Sequence, residues 1–297
     1  MKFPLDEGKV LVFIGWLLKR GLAAATINAY LSGLRQAHLT AGVILPSLRS
    51  PVVSQIIQGA TNLDALKKRA KEKPKRLPVT PTILKIIKSE LRTSTWIKED
   101  RLMIWAVCLL AFMGCFRIHE LLSKKSSTFD PSFELLGQDL KLRSLKVGKN
   151  NVKTITVKVK SEKKDRIGRE TFVDVYSNEG PFCPVRALEK WKKCSRLDSQ
   201  SLPAFRLSTG QPLTGRKLNK ILKSLLGKHL DYSLGGISCH SFRAGLASLM
   251  GTLGYTEEQI QAIGRWSSSA YNVYLKLPRT HRVQMAKVLG NLNFTAL

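Results

Sequence analysis

"CHSFRAGLAS", residues 239–248, sets His240 and Arg243 three apart at the start of a predicted helix, so both point to one side. Alone the pair is a weak signal, because HxxR is short and helix surfaces often carry such a pair. Its company decides the reading. Upstream, "GCFRIHELL" (114–122) puts Arg117 directly after an apolar run, with Glu120 three residues on. A guanidinium in that place either pairs with the glutamate or is held for a ligand. Downstream, "GRWSSSAYNVYLKLPR" (264–279) reads as an exposed Gly-Arg-Trp turn followed by Tyr271 and Tyr274. Each tyrosine is open to core packing or to use as a nucleophile.

The charge of the whole chain narrows the partner. Forty-nine Lys and Arg against 21 Asp and Glu leave +28 over 297 residues. Such a surplus self-repels unless a polyanion is near, and nucleic acid is the commonest such partner. An anionic membrane would want the charge on an amphipathic helix or beside a membrane span, and the sequence has neither. "LMIWAVCLLAFMGCF" (102–116) is too short to cross a bilayer and is read as a buried helix. "VLVFIGWLL" (10–18) follows Asp6 and Glu7 and lacks a small-residue cleavage site, which argues against a signal peptide. The five cysteines, Cys108, Cys115, Cys183, Cys194 and Cys239, form no CxxC pair and no zinc spacing. They read as reduced thiols of an intracellular protein, with no structural metal.

The length suggests two domains. Residues 1–66 read as helices: one closed by Gly21, one starting on a Thr26 cap with Ile27, Tyr30, Leu31 and Leu34 on one face, and one opening on Pro51. Residues 67–79 form a basic linker, part of "KKRAKEKPKRLPVTP", whose prolines stop a helix. Its Lys67, Lys68, Arg69, Lys71, Lys73, Lys75 and Arg76 are candidates for contacts with DNA phosphates, and the same run suits a nuclear import signal. Residues 80–297 read as a larger helical domain with an inserted hairpin. In "TITVKVK", Ile155, Val157 and Val159 face inward while Thr156, Lys158 and Lys160 face outward, and "TFVDVYS" returns. Lys158 and Lys160 join the DNA-contact candidates. The expected fold is mainly α with a small β insertion.

Two arginines, a histidine, a hairpin lysine, an indole and a tyrosine, in that order, suit phosphodiester chemistry without a metal. Paired guanidiniums neutralise the non-bridging oxygens as Mg²⁺ would. A nucleophile and a proton donor for the leaving oxygen must be supplied as well. The acidic clusters that hold two metal ions in a nuclease are missing from the sequence.

This set, over nearly the whole chain, resembles the tyrosine recombinase/integrase family. "CPVRAL", "HSFRAGLAS" and "GRWSSSAYNVY" are most similar to its eukaryotic mobile-element branch, such as Crypton and DIRS-type elements. The resemblance implies a helical, SAM-like core-binding domain, then a catalytic domain ending in a tail helix, the two clamping double-stranded DNA. The tail, "THRVQMAKVLGNLNFTAL", either docks on a neighbouring protomer or packs on its own domain. The first domain is short for the family, so an upstream helix or targeting segment is expected. Arg117 and Arg243 would grip the scissile phosphate, with Glu120 supporting the first. His240 would bond the phosphate and take the nucleophile's proton. Trp266 sits where many members have a second histidine, and its indole N–H can donate but cannot shuttle a proton. "EKKDRIG" places Lys163 in the slot of the lysine that protonates the leaving 5′-oxygen, with Glu162 replacing the usual serine and Lys160 and Lys164 as competitors.

In that family the nucleophile follows the His/Trp position by eight or nine residues. Tyr274 is eight beyond Trp266 and Tyr271 five, so spacing favours Tyr274 and leaves Tyr271 for packing. The expected activity is site-specific strand transfer through a 3′-phosphotyrosyl link, in a tetramer on two DNA sites, in the nucleus, without cofactor or metal. The alternatives are a domesticated, catalytically silent DNA-binding relative and a type IB topoisomerase-like relaxation of supercoils.

Overall fold

The computed structural model of the protein describes residues 5–43, 48, 50–70, 76–147, 150–160, 171–195, 201–230 and 236–266, with backbone alone at 67–70, 145, 147 and 150. The chain divides into two units, Met1–Lys73 and Pro74–Leu297.

The first unit holds three helices, α1 (Glu7–Lys19), α2 (Ala24–Thr40) and α3 (Pro51–Ala70). Asp6 opens α1 by accepting the Lys9 amide at 2.8 Å, and Val10, Ile14 and Leu17 then fall on one buried face. Ile27 and Leu31 of α2 and Val53 of α3 complete that core. Thr26 does not cap α2. The helix starts at Ala24 behind Ala23, which has no capping side chain. The cap comes from another helix, where the Asp64 carboxylate accepts the Ala24 amide at 2.6 Å. Lys67, Lys68 and Arg69 are the last turn of α3, because the prolines that stop the helix stand at 74, 78 and 81.

In the second unit the chain enters extended and is used at once. The Leu77 amide donates to Gly236 and the Val79 amide to Ser241, with Val79 fully buried. Thr80 then caps α4 (Pro81–Thr93). Helix α5 (Lys98–Met113) is the centre of the unit, buried at every position from Met103 to Phe112. Helices α6 (Ile118–Leu121), α7 (Pro184–Cys194), α8 (Gly215–Leu226), α9 (Cys239–Thr252) and α10 (Glu257–Gly264) follow among the described residues. The "CPVRAL" motif is a helix start, with the Cys183 sulfur accepting the Arg186 amide and Pro184 at the first helical position.

One antiparallel sheet has the order β1-β2-β3, from Leu140–Val147, Asn150–Val159 and Thr171–Tyr176. Strands β2 and β3 are the expected hairpin, in a register that sets Thr156 against Asp174 and joins their side chains at 2.6 Å. Ile155, Val157 and Val159 are buried as the alternation requires. Strand β1 is an addition to the sequence-based expectation. Among the described residues no helix is long and apolar enough to cross a membrane.

Candidate active site

The site is built where α5 ends. After Met113 the chain turns through Gly114, where a Cβ would lie 2.2 Å from the Phe116 ring, and through Cys115 at φ 49°. It restarts at Arg117, the N-cap of α6. Glu120 folds back on that start: Oε2 accepts the Arg117 amide at 2.9 Å and Oε1 accepts its guanidinium Nη1 at 3.0 Å. The Glu120 side chain is fully buried, while that of Arg117 keeps 29% of its surface exposed. Arg117 is therefore both paired and open on one side.

Helix α9 brings the second pair of residues. The Cys239 amide in its first turn donates to Asn219 Oδ1 at 2.8 Å, and Ser241 Oγ accepts the Ser238 amide at 3.0 Å. This fixes the helix start and with it His240, which is exposed, and Arg243 one turn on, which is buried. Arg243 Nη1 donates to the Cys115 carbonyl at 2.5 Å and Nη2 to the Gly264 carbonyl. Its face lies 4.4 Å from the Trp266 ring centre. The indole stacks on the guanidinium. Gly264 permits this, since a Cβ there would stand 1.7 Å from the ring.

Arg265 is a site residue that the sequence pattern does not single out. The Gly-Arg-Trp turn is not exposed: the Arg265 side chain keeps only 16% of its surface and donates from Nη2 to Glu120 Oε2 at 2.9 Å. It also lies 3.5 Å from the Cys115 carbonyl and 5.0 Å above the Phe116 ring. One carboxylate thus serves two guanidiniums, one of them from a position 145 residues away in the chain. The only sequence trace of this is a basic residue straight after the last glycine of a helix.

Three arginines and one glutamate make the site strongly positive. Burial pushes the Arg243 pKa down, and Arg117 and Arg265 add to that, partly offset by Glu120. His240, though exposed at the surface, is partly desolvated by its neighbours, which lowers its pKa, with the positive charge of Arg76 as a second cause. His119 is lowered by burial too, within reach of the charges of Glu120, Arg117 and His240. Burial raises the Cys115 thiol to about 11, so it stays protonated.

The structure thus gathers Arg117, Glu120, Arg243, Trp266 and Arg265 into one contact network, with His240 one turn from Arg243. It does not bring Lys160 there as a free ammonium. Lys160 is bound to Asp139 at 2.8 Å and to the Pro131 carbonyl at 2.9 Å, with 13% of its side chain exposed. Lys158 lines a different cleft of about 800 Å³, with Lys141, Phe172, Lys192 and Arg206. Lys163, Lys164, Tyr271 and Tyr274 lie outside the described residues, as do Lys71, Lys73 and Lys75. Arg76, read as linker, is exposed and sits near enough to His240 to depress it.

No protein-family model matches the sequence, and no curated protein matches it. Solved structures do. The Tn1549 transposon integrase in complex with circular intermediate DNA superposes with a TM-score of 0.52 at 16% identity, over 96% of this chain and 87% of that one. A structure of the same integrase with transposon right end DNA gives 0.52 and 16%, over 96% and 86%. Mostly helical, with one three-stranded antiparallel sheet, the chain has the fold of the tyrosine recombinases.

Proposed function

We propose that this protein is a site-specific DNA recombinase that cuts and rejoins strands through a 3′-phosphotyrosyl link formed by Tyr274. The observation that carries the reading is the meeting of Arg117, Arg243 and Arg265, from three segments, at one buried carboxylate and the backbone turn at Cys115, with His240 one turn before Arg243. A fold alone assigns no chemistry. Positive charge with donors fixed by the backbone is what a phosphoryl-transfer transition state needs.

In this reading the phosphate seats against Arg117 and Arg243. The Tyr274 oxygen attacks phosphorus, its proton passing to His240, and the bond to the 5′-oxygen breaks as Lys163 protonates it. A 5′-hydroxyl from a partner strand then reverses the step and frees the tyrosine. One phosphoester replaces another, so no ATP is consumed. His240 suits the base role, since its lowered pKa keeps the imidazole neutral at pH 7. The motif style supports a eukaryotic mobile-element origin, and with it a nuclear location and a tetramer on two duplex sites.

The test is covalent trapping without metal, on a nicked suicide duplex carrying the element's terminal sequence. Wild type is expected to give an SDS-resistant adduct that Tyr274→Phe loses and Tyr271→Phe keeps. Loss in Tyr271→Phe alone would move the nucleophile. Tight binding with no adduct from the wild type would favour the silent DNA-binding relative.

A further inference from the structure

Arg265 carries more than its contact with Glu120 explains. Its Nη2 serves Glu120 and faces the Cys115 carbonyl, yet Nε and Nη1 are buried with no acceptor among the described residues. A guanidinium has five N–H donors in a fixed plane, and donors enclosed without an acceptor are disfavoured. The backbone is unusual as well. Arg265 ends α10 at φ 53° and ψ 45°, the left-handed region normally left to glycine or asparagine. Cys115, whose carbonyl it approaches, is the other non-glycine residue with positive φ among the described residues. Two such residues facing each other are a feature that functional sites retain.

We infer that Arg265 is a third phosphate-binding guanidinium of this site, donating from Nε or Nη1 to a non-bridging oxygen of the scissile phosphodiester. This rests on the reading of the site as a phosphodiester site. The charge balance fits. Arg117, Arg243 and Arg265 against Glu120 leave a surplus of two positive charges in the network. A phenolate attacking a phosphodiester monoanion produces a transition state with two negative charges. Glu120 then does more than support Arg117, because it holds Arg117 and Arg265 at a spacing their mutual repulsion opposes. Trp266 covers one face of Arg243, so that face of the guanidinium is closed.

The test uses inorganic tungstate as the probe, so it needs neither a cognate DNA sequence nor turnover. Thermal unfolding is followed against tungstate for wild type, Arg265→Gln, Arg265→Lys and the exposed-site control Arg143→Gln. Wild type and Arg143→Gln are expected to be stabilised alike, while Arg265→Gln needs at least about tenfold more tungstate for half the effect, the loss of one good contact. Equal curves for wild type and Arg265→Gln would overturn the inference. Should Arg265→Gln not fold, Arg265→Lys, which keeps a cation for Glu120 but not the planar donors, decides by the same titration. Anomalous scattering from wild-type crystals soaked in tungstate gives a second measurement: a peak within hydrogen-bond distance of Nε or Nη1 supports the assignment, and its absence there refutes it. A wild type that binds tungstate through Arg265 but forms no DNA adduct would reject the recombinase activity and keep the anion site. An adduct formed at wild-type rate by Arg265→Gln would do the reverse.

Discussion

Arg243 and Cys115 hold each other in both directions. The guanidinium donates to the Cys115 carbonyl at 2.5 Å, and the Cys115 thiol donates to the Arg243 carbonyl at 3.8 Å. Because burial keeps that thiol protonated, the second bond persists across the physiological range. The pair fastens the end of α5 to the start of α9, two segments that each present an arginine. A side chain assigned to phosphate binding is thus also part of the frame, and its substitution has two readouts.

Arg243→Lys separates them. An ammonium is a compact charge and does not span the Cys115 and Gly264 carbonyls as the planar guanidinium does. Leaving one buried carbonyl short costs about 1–3 kcal/mol. For a domain of this size that lowers the melting temperature by roughly 2–12 °C. Covalent adduct formation should fall much further, since the planar donors proposed to bind the phosphate go too. A calorimetric scan beside the trapping assay checks both, and a melting temperature equal to wild type would mean that the carbonyls do not depend on Arg243.

Gly264→Ala and Gly15→Ala should act in opposite directions. At Gly264 a methyl would stand 1.7 Å from the Trp266 ring, so the indole must leave the face of Arg243. Overpacking of this kind costs about 1–3 kcal/mol. At Gly15, in the middle of α1, nothing lies within 4 Å, and alanine should stabilise the helix by about 0.5–1 kcal/mol. Denaturant melts of the two variants measure the contrast. Like-signed effects would refute the packing assigned to Trp266.

Patterns that recur along one segment are legible in the sequence. The buried run of α5 and the alternation of β2 and β3 are local regularities. Strand β1 escapes because its apolar residues, Leu140, Leu142, Leu145 and Val147, change parity at Ser144, so no single alternation runs through it; among its described side chains only Leu140 is deeply buried. The start of α2 is misplaced because its cap, Asp64, arrives from another helix 40 residues away. Arg265 is hidden for the same reason: nothing near it in sequence announces Glu120. Local chemistry reads from the chain, whereas a partner supplied by tertiary structure does not.

The choice among the hairpin lysines can be made with a leaving group that needs no proton. In a substrate whose 5′-bridging oxygen is replaced by sulfur, the thiolate leaves unaided. Under the proposed mechanism the Lys163→Ala defect should be rescued, because only proton donation is missing. Lys160→Ala should not be rescued, since Lys160 is bound to the buried Asp139, whose carboxylate also accepts the Leu136 amide at 2.8 Å. Its loss strips a buried carboxylate of its partner and should lower the melting temperature instead. Rescue of Lys160→Ala with no loss of stability would return the acid role to Lys160.

The pH profile of cleavage should report on Arg76. His240 must be neutral to take a proton, so the rate falls as pH drops through its pKa, which lies below the ordinary 6.5. Partial desolvation by its neighbours is the larger cause of that depression and the nearby positive charge of Arg76 the second. Arg76→Gln removes a charge that disfavours imidazolium, so His240 protonates more readily. The acidic limb of the profile therefore moves to higher pH, yet stays below that of an unperturbed histidine, because the partial desolvation remains. Arg76 is exposed, so added salt should move the wild-type limb in the same direction by screening and leave Arg76→Gln less affected. Single-turnover trapping rates between pH 4.5 and 8, roughly the range over which a histidine titrates, measure both shifts. A limb that stays in place in Arg76→Gln, or moves to lower pH, would sever Arg76 from His240 and leave it as a contact to the DNA backbone alone.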